Sequence, residues 1–474
     1  MSAGLLEEIE NWKLEAKLED SVRYFYHTRV VDQILKGQKA YVIGRKGTGK
    51  TAISEHLVAS SGGYFTQKLT FKNFPFNNLY KLKDKGFTPP NQYITLWKYV
   101  IYSSACRLMV EDQSVDPLTR GRLEKIFSDD IEHALPKAVD RWTGMKFDIK
   151  ILGTGLGFGI DRDRAEEGEE WIRRVDVLES FLLQHIRNKY VILFDELDED
   201  YKDVIAPEKH KQYTELLTGL FKAVQDVRSK FSGREFFPII FLRDDIYEIL
   251  LDPDKTKWSD FKVDLGWTED SLKNLLAFRI SRAISPIAQI MNFDAAWGCL
   301  FSGGGVRYGN LQKKNIHPFS YITRSSLLRP RDYIKYLQVC STLAIERRNP
   351  KLSPVIVQAA DVDFSNYLRS ELEDEIHGLV PDIHAVLDLF TLMRKQTMRI
   401  DEFRNAFASA YRDGKVVTKD VNFVLEILFH FSVIGNQPKQ QNAQVFRYKN
   451  RGANLNFGEN IIIHRGLYRA LQIF

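Results

Sequence analysis

The sequence predicts an α/β fold in which a parallel sheet core is followed by a helical lid and a C-terminal winged-helix domain. Three apolar runs support the sheet, namely Lys39–Ile43, Tyr190–Phe194 and Phe236–Leu242. They are rich in β-branched and aromatic residues, as the buried strands of parallel sheets are. Ligands of such sheets bind at the carboxyl ends of the strands. The residues that follow each run are therefore the first candidates for a functional site.

The first apolar run leads into a glycine-rich loop, Gly44–Thr51, which matches the phosphate-loop pattern G-x-x-x-x-G-K-S/T. A helix-patterned segment follows at Ala52–Ser60, so the motif has the strand-loop-helix context that it requires. Its glycines permit positive φ and bring backbone N–H groups close to phosphate at a helix N-terminus. The motif predicts a nucleoside triphosphate site, and a glycine turn without a ligand is the alternative. The candidate nucleotide-binding residues are Gly44, Arg45, Lys46, Gly47, Thr48, Gly49, Lys50, Thr51 and Ala52.

The second apolar run ends in two carboxylates, Asp195 and Glu196, which is the Walker B pattern. Lys50 would reach the β and γ phosphates, while Thr51 and Asp195 would hold Mg²⁺. Glu196 would orient or deprotonate the attacking water, because phosphoryl transfer depends mainly on positioning and charge stabilisation. The alternative for the two carboxylates is that they only cap the acidic turn that follows.

Arginines follow the third apolar run and precede a later helix. Arg243 comes directly after Phe236–Leu242, where a salt bridge to Asp244 or Asp245 is the alternative to a role at the site. Arg329 and Arg331 flank Pro330, and proline is frequent at the first position of a helix. For this pair, ion pairing with acidic residues at the surface is the alternative.

The composition is that of an ordinary soluble globular protein, since 44% of the 474 residues are apolar and 27% are charged. Three dispersed cysteines indicate neither a disulfide framework nor a metal site. No apolar run approaches the ~18 residues that span a bilayer, and the N-terminus does not resemble a signal peptide. We therefore expect a cytoplasmic protein without membrane contact.

The chain is predicted to have three domains. Residues 1–262 would form the sheet core, with N-terminal helices and a β-hairpin insertion near 145–161, and residues 263–380 would form the helical lid. In residues 381–474, three helical patterns at 384–395, 400–411 and 418–433 precede two strand-like runs at 444–449 and 460–464. This order is typical of a winged helix.

The C-terminal domain carries the excess of positive charge. It contains 13 Lys and Arg against 8 Asp and Glu, which accounts for the whole net charge of +5. Arg447, Lys449 and Arg451 on the predicted wing could contact the phosphates of a nucleic acid. Contact with another protein is the alternative.

Together, the segments YVIGRKGTGKTA, LTFKNFPF, VILFDELDED, IIFLRDDIY, LLRPRDYI and IIIHRGLYRALQI resemble a family of bacterial P-loop ATPases related to the KAP, STAND and origin-recognition AAA+ types. The resemblance implies an ATPase that uses ATP and Mg²⁺, with Lys50 and Glu196 in catalysis. It also implies that Arg243, Arg329 and Arg331 act as sensors or as an arginine finger. A finger acts in trans, so a homo-oligomer is expected. KAP members commonly carry transmembrane insertions, which this sequence lacks.

Members of such families often act in antiviral defence or DNA repair beside a separate effector, usually a nuclease or another toxic enzyme. The leading hypothesis is therefore an ATPase that drives or gates assembly of such a complex, with nucleic acid as a candidate ligand of the C-terminal domain. The alternative is a nucleotide-gated scaffold with little turnover that holds an effector inactive. A DNA-translocating motor is a third hypothesis, which the absence of helicase motifs disfavours.

Overall fold

The computed structural model describes residues 2–60, 62–72, 74, 76–81, 88, 90–127, 135–139, 141, 167–198, 201, 207–309, 313–438 and 443–473. By their contacts, the residues form two compact units. The sheet unit comprises His27–Arg45 and Gly49–Leu265, and the helical unit comprises Met1–Tyr26, Lys46–Thr48 and Gly266–Phe474. The predicted hairpin near 145–161 lies outside the described residues.

The sheet unit is built on five parallel strands in the order β2-β3-β4-β1-β5. Every residue of β3 is buried, as expected for a central strand that is covered on both faces. The predicted α/β fold class with a parallel sheet core is confirmed. The strands are β1 (Tyr41–Ile43), β2 (Phe65–Thr70), β3 (Tyr190–Asp195), β4 (Phe236–Leu242) and β5 (Lys262–Asp264).

The strand register brings the candidate residues to one edge of the sheet. Ile43 at the end of β1 pairs with Leu242 at the end of β4, and Phe194 of β3 pairs with Ile240 of β4. The chain therefore leaves β1, β3 and β4 at the same carboxyl edge.

Helices and aromatic side chains cover this sheet. Phe71, Trp97 and Phe194 pack together, and the Trp97 indole N–H donates to the carbonyl of Leu216. Two helices at the N-terminus, α1 (Ser2–Glu10) and α2 (Ser21–Tyr24), belong to the helical unit. The helices of the sheet unit are α3 (Arg29–Leu35), α4 (Lys50–Ala59), α5 (Phe76–Lys81), α6 (Ile94–Glu111), α7 (Pro117–Ile126), α8 (Glu167–His185), α9 (Pro207–Lys230), α10 (Asp244–Ile249) and α11 (Lys255–Trp258).

No helix among the described residues is long and apolar enough to cross a membrane.

The helical unit encloses an apolar core to which residues from α1 to the C-terminal segment contribute. The remaining helices are α12 (Glu269–Ile284), α13 (Phe293–Leu300), α14 (Pro318–Ser325), α15 (Pro330–Glu346), α16 (Pro354–Ile376), α17 (Ile383–Met393), α18 (Ile400–Arg412) and α19 (Val421–His430). The hairpin of β6 (Val306–Tyr308) and β7 (Lys314–Ile316) lies between α13 and α14.

The last part of this unit has the order helix, strand, helix, helix, strand, strand. Its three strands, β8 (Thr397–Arg399), β9 (Ile434–Gln437) and β10 (Asn460–Ile463), form an antiparallel sheet in the order β8-β10-β9. The predicted strand at 444–449 is wrong, since only Val445 forms a bridge, to Asn436. The helix predicted to reach residue 433 ends at His430 instead, because Ser432 takes a positive φ of 61° and turns the chain into β9.

The N-terminal helices pack in the helical unit, which differs from the sequence-based domain boundaries. The apolar side chains of α1 belong to the core of this unit, and a buried ion pair joins Glu19 to Arg279 of α12, whose side chain is 4% exposed. The same guanidinium lies 4.6 Å from the ring centre of Trp12 and 5.0 Å from that of Tyr24. Residues 1–26 are thus attached to α12 by contacts that lie far apart in sequence.

We predict that Arg279→Ala loosens residues 1–26, because it leaves Glu19 without its partner and removes two cation–π contacts. Breaking a buried pair costs about 3 kcal/mol or more, so limited trypsin cleavage after Lys13 and Lys17 should accelerate about tenfold or more. The control is Arg282→Ala, one turn further along α12, whose side chain donates to carbonyls of the following turn and lies 5.4 Å from the ring centre of Phe278 on the same helix. Equal cleavage rates in the two variants would contradict the anchoring role of Arg279.

Candidate nucleotide-binding site

The glycine-rich loop connects β1 to α4, as predicted. Gly49 is the N-cap of α4 and has a φ of 100°, and Gly47 has a φ of 82°. These left-handed conformations favour glycine, because a side chain would be strained there. Helix α4 has ten residues and begins at Lys50, so its free N–H groups and dipole face the loop. This arrangement is suited to binding an anion such as phosphate.

The Lys50 side chain folds back onto the start of the loop. Its ammonium group donates to the carbonyl oxygens of Gly44 and Arg45, at 2.7 and 3.1 Å. Burial lowers the pKa of Lys50, while the carboxylates of Asp198 and Asp244 partly offset this effect. A negatively charged ligand would favour the charged form of this partly buried amine.

Asp195 lies at the end of β3, and both of its carboxylate oxygens are engaged. Oδ2 accepts a hydrogen bond from Ser54 Oγ at 2.7 Å and lies 3.0 Å from Lys68 Nζ. Oδ1 accepts from the backbone N–H of Glu196 at 3.0 Å. Ser54 belongs to the first turns of α4, three residues after Thr51. The carboxylate is thus attached to the helix that carries the predicted nucleotide-binding residues.

The donors at this edge of the sheet fit Mg²⁺. Thr51 offers a hydroxyl oxygen and Asp195 a carboxylate oxygen, and Mg²⁺ is commonly held by one or two protein oxygens together with substrate phosphates. The carboxylate already attracts a cation, the Lys68 ammonium. Among the described residues, no group of three or more His, Cys, Asp or Glu could hold a metal ion by itself.

Glu196 has a positive φ of 58°, in the left-handed region that non-glycine residues adopt infrequently. The chain continues directly into a short turn at Leu197 and Asp198. Local strain of this kind costs about 1–3 kcal/mol and concentrates at functional sites. The observation supports a specific role for Glu196, which remains a prediction.

Arg243 is engaged in the salt bridge that was the alternative to a sensor role. Its Nε and Nη2 atoms donate to the two oxygens of Asp245, at 3.0 and 2.7 Å. A second acid, Asp198, lies 3.6 Å from Nη1. A bidentate pair fixes the guanidinium plane. A role for Arg243 as a sensor remains a prediction.

In the helical unit, Arg329 is only 1% exposed and is paired with two buried acids. It donates to Asp332 Oδ1 at 3.0 Å and to Glu375 Oε1 at 2.7 Å. Burial lowers the pKa of Arg329, but the two carboxylates outweigh this effect and the net shift is upward. Arg329 Nη1 also lies 3.2 Å from the carbonyl oxygen of Lys46, which belongs to the same unit.

Arg331 lies in a less buried environment than Arg329. Its side chain is 23% exposed and donates to Glu371 at 3.1 Å, while Lys46 Nζ lies 3.7 Å from the other oxygen of Glu371. Pairing with acids is therefore present for both Arg329 and Arg331, and their sensor or finger roles remain predictions. A further contact to the glycine-rich loop in this unit comes from Trp267, whose indole N–H donates to the carbonyl of Thr48 at 2.9 Å.

Sequence reasoning missed four residues of these environments, namely Ser54, Lys68, Trp267 and Glu375. Lys68 carried the only available signal, because a lysine within a strand of a doubly covered sheet needs a charge partner. Its partner Asp195 could not be inferred, since the local sequence pattern does not determine the order of strands in the sheet. The other three residues carry no distinctive sequence signal.

Comparison with known proteins gives one family match. Residues 270–373 match the FunZ-associated C-terminal helical domain. This segment covers α12 to most of α16 in the helical unit. No curated protein matches the chain.

Several solved structures are similar over most of the chain, at low identity. The Aeropyrum pernix ORC1 protein in complex with DNA is 13% identical, with 97% of this chain and 96% of that chain covered and a TM-score of 0.39. The Aeropyrum pernix ORC2 protein, in ADPNP-ADP complexes, is 12% identical, with coverages of 94% and 90% and a TM-score of 0.41. A Walker-type ATPase of Pyrococcus abyssi is 11% identical, with coverages of 94% and 93% and a TM-score of 0.37. At these identities and TM-scores the similarities establish neither an activity nor a partner.

We predict that Arg329→Ala destabilises the protein by about 3 kcal/mol or more, because Asp332 and Glu375 would be left buried without their cation. Arg331→Ala, the matched control, should cost less than about 1 kcal/mol, as expected for a more exposed ion pair. Thermal unfolding without nucleotide would measure both effects. Equal stability of the two variants would contradict a structural role for Arg329.

Proposed function

We propose that this protein is a Mg²⁺-dependent P-loop ATPase. The observation that carries the proposal is the hydrogen bond from Ser54 of α4 to Asp195 at the carboxyl edge of the sheet. The glycine-rich loop leads into the same helix, α4. This arrangement brings anion-binding groups and a cation-binding carboxylate to one helix. Both are needed to bind a nucleoside triphosphate with its metal ion.

The residues of the chain have distinct roles in this proposal. The backbone N–H groups of the loop and Lys50 bind the phosphates and stabilise their negative charge. Thr51 and Asp195 would hold Mg²⁺, which neutralises charge that develops on the phosphate oxygens. Glu196 orients the attacking water and accepts its proton.

We further propose an AAA+/STAND-like enzyme that forms a homo-oligomer and drives or gates assembly of an antiviral defence or DNA-repair complex with a separate effector. The resemblance of the motifs to those families supports this assignment. The order of helices and strands in residues 383–463 supports the winged-helix assignment, and the charge excess of residues 381–474 supports nucleic acid as a ligand. A cytoplasmic location belongs to the same proposal.

A second candidate is a nucleotide-gated scaffold with little turnover. It is favoured by the internal contacts of Lys50 and Asp195, which nucleotide and metal would have to rearrange. Tight ATP binding with negligible hydrolysis, together with a change of oligomeric or partner state between ATP and ADP, would favour this candidate.

We predict that Lys50→Ala weakens ATP binding at least about 100-fold, because a cation at the phosphates is lost. The matched control is Lys46→Ala in the same loop, because alanine keeps the backbone N–H with which residue 46 would bind phosphate and the Lys46 side chain is directed at Glu371. That variant should keep its ATP affinity within about threefold. Equilibrium binding of a fluorescent ATP analogue would measure both, and equal affinities for the two variants would exclude the assigned role of Lys50.

We predict that Glu196→Gln lowers ATP turnover about 100-fold or more while ATP binding is retained, because the amide cannot accept the proton of the attacking water. The measurement is phosphate release at saturating ATP and Mg²⁺, with and without duplex or single-stranded nucleic acid. Glu235→Gln, which changes an exposed acid paired with Lys189 just before β4, is the control and should change turnover much less. Unchanged hydrolysis in Glu196→Gln would show that the assigned chemistry is wrong.

A further inference from the structure

Lys68 places a positive charge directly on the predicted Mg²⁺-binding carboxylate. Strand β2 lies next to β3 in parallel, with Lys68 opposite Leu193 and Thr70 opposite Asp195. The Lys68 side chain extends along β3 and brings Nζ to 3.0 Å from Asp195 Oδ2. Its side chain is 10% exposed and that of Asp195 is 3% exposed. The contact is therefore largely shielded from water, where charge interactions are strong.

A second acid completes this cluster. Lys68 Nζ also lies 2.7 Å from Oε1 of Glu55, which is on α4 next to Ser54. Burial lowers the pKa of Lys68, but Asp195 and Glu55 outweigh it, so the pKa is raised and the amine stays protonated. One cation and two carboxylates give the cluster a net charge of about −1.

Lys68 and a divalent cation would therefore bind to the same carboxylate, that of Asp195. A lysine ammonium is a compact point charge on a flexible stem, so it can move away from Asp195 and remain paired with Glu55. When Lys68 bonds to Asp195, it cancels the negative charge that would otherwise repel a nucleotide without its metal. When a divalent cation binds, Lys68 competes with it for Oδ2.

We propose that Lys68 is a positioning residue that acts as an internal counter-cation of Asp195 and sets how strongly nucleotide binding depends on Mg²⁺. This inference rests on the proposed ATPase function. It assigns Lys68 a quantitative effect on the ratio between nucleotide affinity with Mg²⁺ and without it. A purely structural lysine would change the stability of the protein but not this ratio.

The test compares Lys68→Met with the wild-type protein. Methionine keeps most of the side-chain length and removes the charge. The affinity for a fluorescent ADP analogue is measured by equilibrium titration, once with saturating Mg²⁺ and once with EDTA. We expect the ratio of the two affinities to rise about tenfold in Lys68→Met, because Asp195 then repels the metal-free nucleotide and binds the metal without a competitor.

Two variants serve as controls. Lys68→Arg keeps the charge and should have a ratio close to that of the wild type. Lys222→Met removes a lysine from another buried carboxylate, Asp252, whose side chain is 1% exposed and lies 2.9 Å from Lys222 Nζ. It should leave the ratio unchanged even if it lowers stability by a similar amount.

A variant with the opposite expected effect makes the test independent of the folding of Lys68→Met. Glu55→Gln removes the second acid, so that Asp195 is the remaining charged partner of Lys68 in this cluster. Lys68 then competes more strongly with Mg²⁺, and the ratio of affinities with and without Mg²⁺ should fall. In addition, thermal unfolding without nucleotide should show that Mg²⁺ alone stabilises Lys68→Met more than the wild type. This readout does not depend on turnover.

The outcomes separate the inference from the proposed function. No nucleotide binding by the wild type under either condition would overturn the proposed function itself. Wild-type binding with the same ratio in a folded Lys68→Met would overturn the role of Lys68 and leave the proposed function intact. If Lys68→Met does not fold, the Glu55→Gln ratio decides: a fall supports the inference, and no change overturns it.

Discussion

The arrangement of the candidate site depends on one constraint, the burial of a carboxylate at the end of a buried strand. Asp195 is 2% exposed and ends β3, whose six residues are all buried. A buried charge is unfavourable unless it is paired and hydrogen-bonded. Ser54 of α4, Lys68 of β2 and the backbone of Glu196 meet this requirement. The same contacts attach the neighbouring strand and the phosphate-loop helix to the end of β3.

The same constraint decides the environment of arginines in the helical unit. Arg279 and Arg329 are both nearly inaccessible to solvent. Arg279 pairs with Glu19, and Arg329, the N-cap of α15, pairs with Asp332 in the first turn of that helix and with Glu375 of α16. Replacing such pairs by apolar residues is often neutral, but removing one partner is costly. An arginine next to a helix start can therefore be essential for packing without touching a ligand. Loss of activity on its substitution would not by itself identify a sensor.

The sequence pattern predicted local elements well and some boundaries poorly. The loop, its flanking strand and helix, and the strands before Glu196 and Arg243 lie where they were expected, because each is specified by apolar runs and glycines within a few residues. The strand expected at 444–449 was wrong, the helix expected to reach residue 433 ends at His430, and β9 was not predicted. The positive φ of Ser432 separates the helix from β9, and the conformational preference of serine does not predict it.

The sequence by itself determined the α/β fold class and the strand-loop-helix motif with its candidate residues from Gly44 to Ala52, because these depend on short-range patterns of glycine, charge and apolar residues. Only the tertiary structure decided which residues surround them. Ser54 and Asp195 are 141 positions apart, and Arg329 and Glu375 are 46 apart. Pairings over such separations depend on strand order and helix packing, which follow from the burial of the whole core rather than from any local segment.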